Sequence, residues 1–236
     1  MSRLLTLGAG GGDAAGGIKT SLISFWELEE ASGTRTDSHG ANNLTDNNTV
    51  TQAVGKVGNA AQFTAANSEW LDRANEAGLQ PGVDFTFTFW LYLDSIIASH
   101  SIINKDANAA GNRQFALLTL PDSLNFFVFD SSTGNVSVAS AAVSTATWYF
   151  FVCWFDNSDK KAYLSRDDET PRVSGGVLTN GVNTTGTVAL EFGRRSFDGL
   201  HHDGRIDQVG YWSRLLTATE RTFLYNSGNG RAYSEL

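Results

Sequence analysis

Residues 84–94 read Asp-Phe-Thr-Phe-Thr-Phe-Trp-Leu-Tyr-Leu-Asp, and this alternation restricts what the chain can become. In an extended strand Phe85, Phe87, Phe89, Leu91 and Leu93 share one side, while Thr86, Thr88, Trp90 and Tyr92 share the other. A helix would scatter the same rings around its circumference. The first side is the expected core face. The second is less apolar, but it carries two large aromatic rings. Residues 148–156 are apolar at both parities: Trp148, Phe150, Val152 and Trp154 against Tyr149, Phe151, Cys153 and Phe155. Such a strand is covered on both faces, or it lends one face to a binding surface.

The rest of the chain after Thr20 reads as short apolar strands between clusters of Gly, Asn, Asp and Ser, among them Ile23–Leu28 and Leu124–Asp130. The turn formers at Asn157–Lys160 join the long apolar strand to Ala162–Ser165 as a hairpin. Arg205–Trp212 is a further strand. The Thr217-Ala218-Thr219-Glu220 segment after it has the spacing of a capping box. A short helix from about Ala218 to Asn226 is expected, with Gly228 near its stop. No internal repeat is evident. The expected fold is an all-β, antiparallel two-sheet β-sandwich with a short C-terminal helix.

A chain of 236 residues buries roughly three quarters of its unfolded surface, so it needs no disulfide staples. It has one cysteine, Cys153, read as a buried hydrophobe. The net charge is −8 and no basic stripe occurs, which argues against a nucleic-acid partner. No run of 18 apolar residues exists, so no membrane span is expected. No secretory signal is recognisable at the start of the chain.

Residues 1–20 differ from the remainder. Gly8, Gly10, Gly11, Gly12, Gly16 and Gly17 crowd the segment, and no apolar period emerges. Ordering so much glycine costs roughly 1–2 kcal/mol per residue. The segment is therefore read as an arm that docks on a protein partner or neighbouring copies, with Leu4, Leu5, Leu7 and Ile18 as its apolar contacts. Residues 21–236 form the sandwich domain.

Several blocks along the chain resemble the laminin-G-like, concanavalin A-like lectin-glucanase jelly roll. In order they are Ser24–Gly33 with Asp37–Gly40, Gly55–Phe63, Asp84–Trp90, Ile102–Asp106, Trp148–Asp156 and Gly204–Gly230, and together they span about Leu22 to Gly230. Gln208 stands where such domains often have Glu after the closing Ile-Asp, and the hairpin tip Ser165–Thr170 lacks the usual Gly. The resemblance implies a noncatalytic surface or adhesion module. Together with the absent signal and the arm, it suggests a virion structural protein, assembled in the host cytoplasm, whose sandwich faces outward towards host glycans. The alternatives are a bacterial extracellular carbohydrate-binding module, a glycoside hydrolase of the same fold, and a purely structural oligomer subunit.

The residues offer few chemical sites. Glucanases of this fold place paired carboxylates on one strand face; Glu27 and Glu29 have that spacing but no Asp between them, and they read as a solvated edge. His201, His202 and Asp203 read as a polar turn, because neighbours on a strand point in opposite directions. Domains of this kind often hold a structural calcium, and the positions carried over for it are Asp37 and Asp207. Sandwich lectins stack sugars on exposed rings, for which Trp90 and Tyr92 are the candidates. Asn43, Asn47, Asn135 and Asn183 fit glycosylation sequons but read as loop residues.

Overall fold

The computed structural model describes residues 17–120, 122–132 and 134–236. They form two antiparallel sheets face to face. One sheet runs in the order β13 (Arg172–Val173), β12 (Lys161–Arg166), β11 (Trp148–Asp156), β6 (Phe85–Leu93), β17 (Gly204–Trp212), β4 (Asn59–Phe63), β3 (Thr51–Val54). An eighth strand, β1 (Leu22–Trp26), also pairs with β17. The other sheet runs β10 (Asn135–Ala142), β9 (Ser123–Phe129), β8 (Arg113–Thr119), β7 (His100–Asp106), β14 (Leu190–Phe192), β5 (Trp70–Arg73), β2 (Thr45–Asn47). A small hairpin of β15 (Arg194–Arg195) and β16 (Leu200–His201) follows β14. The expected all-β sandwich is the architecture found.

The core face of β6 is the one its alternation marks. Phe85, Phe87, Phe89 and Leu91 are fully buried between the sheets with Phe115, Phe126, Phe151 and Tyr211. Phe87 and Tyr211 stack with centroids 4.2 Å apart and planes 2° from parallel. Cys153 lies in the same core, where burial pushes its thiol well above the ordinary value.

The opposite face of the eight-stranded sheet carries a second apolar layer. Trp90, Phe150, Val152, Trp154 and Trp212 are covered by Leu216, Leu224 and the C-terminal residues Tyr225, Tyr233 and Leu236. This explains the double apolar parity of β11: its odd residues face the other sheet, and Phe150, Val152 and Trp154 face the C-terminal layer. The helix of that layer, α1 (Ala218–Tyr225), opens on the expected capping box, in which Thr217 and Glu220 satisfy each other's backbone N–H. It ends at Asn226 in the left-handed region, φ 50°.

Ile18 belongs to this layer as well. It is fully buried, and its carbonyl accepts a 2.7 Å hydrogen bond from Trp212 Nε1. Arg214 ties the same segment down by donating to the carbonyls of Thr20 and Gly17. Ile18 is thus a core residue of its own chain, which corrects its expected role as a partner contact; burial of an aliphatic side chain on the home sheet outcompetes display. Leu4, Leu5 and Leu7 lie outside the described residues.

β17 changes partners halfway. Gly204–Ile206 pair with β4, and Val209–Trp212 pair with β1. Between them the register against β6 shifts, and Gln208 there takes φ 49°.

Candidate functional site

Strand pairing brings four side chains from distant parts of the sequence into one row on the outer face of the eight-stranded sheet. Trp148 pairs with Tyr92, Tyr92 with Arg205, and Arg205 with Gln62. All four are half-buried. The next row inward, containing Phe150 and Trp90, lies under the C-terminal layer, so the exposed aromatic surface begins where that cover stops.

The row is pre-set by its own contacts. The Tyr92 and Trp148 rings sit 5.3 Å apart at 51°. The Arg205 guanidinium lies 4.5 Å from the centre of the Tyr92 ring, a cation–π contact that fixes its plane. Arg205 Nε donates to Gln62 Oε1 at 2.8 Å, and Nη1 donates to the Val54 carbonyl at 3.1 Å. Gln62 in turn donates to Asp94 Oδ2 at 2.8 Å. Tilted rings held beside an oriented donor suit a ligand with both C–H faces and hydroxyls.

The structure separates the two aromatic candidates. Tyr92 lies in the row. Trp90 does not: it is 2% exposed, stacked 5.9 Å from Tyr225 and packed against Phe150, with Lys56 4.8 Å over its ring. Its expected role as a sugar-stacking ring is corrected, because the C-terminal tail covers it. Trp148, Arg205 and Gln62 were missed by sequence reasoning. The signal available was the even parity that Trp148 shares with the rest of β11; nothing local reveals that positions 62, 92, 148 and 205 adjoin.

The carboxylates proposed for calcium have other work. Asp37 Oδ1 accepts from the backbone N–H groups of Phe25, His39 and Gly40, and Oδ2 from that of Asn42. Those donors fill its lone pairs with positive dipoles, so it does not fit a cation. Asp207 is fully buried, and its Oδ2 caps the N–H groups of Lys56 and Val57. Burial, with Glu29's charge adding, pushes its carboxyl up to about 8 against the pull of those N–H groups. Among the described residues no group of three or more His, Cys, Asp or Glu is placed to hold a metal. In the structure the two carboxylates act as loop caps, Asp37 for the 37–42 turn and Asp207 for Lys56 and Val57.

Glu27 and Glu29 also serve loops. Glu27 accepts from Ser38 Oγ and the Tyr233 N–H, and Glu29 from the Asn59 N–H. His201 and His202 point to opposite sides, as alternation requires: His201 lies towards Trp70, and His202 is buried beside Phe63 and His100. The expected polar turn is thus partly core, since His202 is fully buried.

A concavity lies between the Ser165–Pro171 loop and α1, away from the row. It is a cleft of about 180 Å³ lined by Ser165, Asp168, Glu169, Thr170, Arg221 and Thr222 among others. It opens onto no free ring face: Trp154 beneath is 8% exposed, with the Arg221 guanidinium 4.6 Å above it.

Two antiparallel sheets packed face to face define a β-sandwich of the jelly-roll type. A family model described as the concanavalin A-like lectin/glucanases superfamily matches residues 65–220, and the chain belongs to that superfamily. No curated protein matches the chain. Among solved structures it is similar to the binding domain of Paraclostridial Mosquitocidal Protein 1, at a TM-score of 0.73 and 14% identity, over 89% of this chain and 53% of that one. The ligand binding domain of botulinum neurotoxin serotype D in complex with N-acetylneuraminic acid gives a TM-score of 0.67 at 14% identity, over 91% of this chain and 53% of that one. The serotype G binding domain gives 0.68 at 13%, over 88% and 51%. This chain thus spans about half the length of the structures it matches, and at these identities the likeness establishes the fold.

Proposed function

We propose that this protein is a noncatalytic carbohydrate-contact module whose sugar platform is the Trp148–Tyr92–Arg205–Gln62 row. The observation that carries the reading is the half-buried Trp148–Tyr92 pair at the margin of the second apolar layer, against which Trp148 also packs, next to a guanidinium held in place. Aromatic rings bind the C–H face of a sugar, and flanking polar groups take its hydroxyls. The superfamily supports the reading at the level of its lectin members, and the similar solved structures are binding domains by name. The use of Glu27 and Glu29 on loop backbone and on Ser38 favours binding over hydrolysis.

The test is a glycan array followed by titration calorimetry on the hits. Trp148→Ala and Tyr92→Ala are expected to weaken binding by about 10-fold or more in combination, from the loss of ring contacts. Ser165→Ala in the cleft is expected to change nothing. If the ring variants bind as the wild type does, the row is not the platform. A virion-surface setting is the finer form of this reading and rests on the glycine-rich leader alone. Its check is whether deletion of residues 1–16 abolishes attachment to a particle.

A further inference from the structure

Arg205 is held without a carboxylate partner, as Arg221 and Arg231 are beside Trp154 and Phe223, but of these three it alone lies in the row. Arg73, Arg113, Arg166, Arg194, Arg195 and Arg214 each pair with a carboxylate. The partners of Arg205 are neutral: the Gln62 side-chain oxygen, the Val54 carbonyl and the Tyr92 ring. Asp94, a carboxylate close to this network, is engaged by Gln62 Nε2 rather than by the guanidinium. Gln62 thus stands between the acid and the base, holding Arg205 by its Nε while leaving its charge uncompensated. Among the described residues Nη2 has no acceptor, and its guanidinium lies over the Tyr92 ring. In a chain of net charge −8, a half-buried guanidinium that is oriented but unpaired is available to an incoming anion.

We propose that the row selects glycans bearing a carboxylate, with the acid group of a sialic or uronic acid residue accepting from Arg205 Nη2 while its ring lies against Trp148 and Tyr92. The inference rests on the reading of the row as a sugar platform, and it adds the class of sugar. Neutral orienting partners make the preference specific. A carboxylate approaching Nη2 displaces no internal ion pair, and the cation–π contact with Tyr92 already holds the guanidinium plane, so little rotamer entropy is lost on binding. A charge-assisted hydrogen bond in this setting corresponds to roughly 10- to 100-fold in affinity.

The experiment is calorimetry with the full chain against three probes: an N-acetylneuraminic acid-terminated trisaccharide, its carboxyl methyl ester, and a sulfated neutral trisaccharide. The acid is expected to bind at least about 10-fold more tightly than the ester. Arg205→Gln is expected to bring acid and ester to the same weak affinity, and Arg205→Lys to restore part of the preference. Thermal melts of both variants establish that they are folded. The acid–ester comparison in the wild type does not depend on any variant. Equal binding of acid and ester by the wild type overturns the proposal while leaving the platform standing. So does acid binding that survives Arg205→Gln, or sulfate binding as tight as carboxylate binding. Failure of all three probes together with neutral glycans overturns both readings.

Discussion

His202 and Asp207 are two buried ionisable groups that pull in opposite directions. Burial, with His100 adding, pushes the His202 imidazole from 6.5 down to about 3, while Asp207 moves from 3.8 up to about 8. Between pH 3.8 and 6.5 the unfolded chain holds a proton on His202 that the folded chain lacks, and it lacks a proton on Asp207 that the folded chain keeps. His202 alone makes stability fall as the pH drops through that window, and Asp207 alone makes it rise. Each slope is about 1.4 kcal/mol per pH unit, so the two cancel. His202→Phe is expected to uncover stability that grows on acidification from pH 6.5 to 4.5, and Asp207→Asn stability that shrinks, both relative to the wild type. Urea midpoints at several pH values read this directly; three parallel profiles would contradict the cancellation. Above pH 6.5 only Asp207 acts, and stability is expected to decline towards pH 8 in the wild type but not in Asp207→Asn.

At the scale of elements, the C-terminal layer depends on a few local devices. Thr217→Ala removes the cap on α1 and is expected to cost about 0.5–2 kcal/mol, measured by denaturant unfolding. Gly230 sits at φ 72°, and a Cβ there would come within 2.7 Å of Val57 Cγ2 and 2.9 Å of Trp90 Nε1. Gly230→Ala is expected to lift the tail from Trp90 at a cost of about 1–3 kcal/mol, seen as increased quenching of tryptophan fluorescence by iodide. These elements were legible in advance for physical reasons. β6, β11 and α1 announce themselves through short-range periodicity and capping chemistry, and their ends match to within a residue or two. The cover over Trp90 was not legible. A strand face with Thr86, Thr88, Trp90 and Tyr92 reads the same whether water or a C-terminal helix lies above it.

For the molecule as a whole, the sandwich followed from the pattern of strands, but the site did not. Tyr92 was visible as an outward ring, whereas its neighbours come from positions 62, 148 and 205, and their adjacency is a product of register across β4, β17, β6 and β11. Register is set by the packed core rather than by any local signal. The same architecture predicts the result of truncation. Removal of residues 218–236 would leave Trp90, Phe150, Val152, Trp154 and Trp212 facing water, a patch that soluble monomers rarely tolerate. That truncated chain is expected to aggregate or to bind 1-anilinonaphthalene-8-sulfonate strongly, and a soluble, dye-negative product would show that the layer is dispensable. The two ends of the described chain meet on this layer, and that governs how the protein responds to load. Leu22 at the start of β1 lies opposite Trp212 at the end of β17. Tension applied between the ends, once the tail has peeled away, pulls this pair apart from one end like a zipper. Its backbone bonds then open in succession rather than sharing the force, so β1 yields first while the strands behind it remain unloaded.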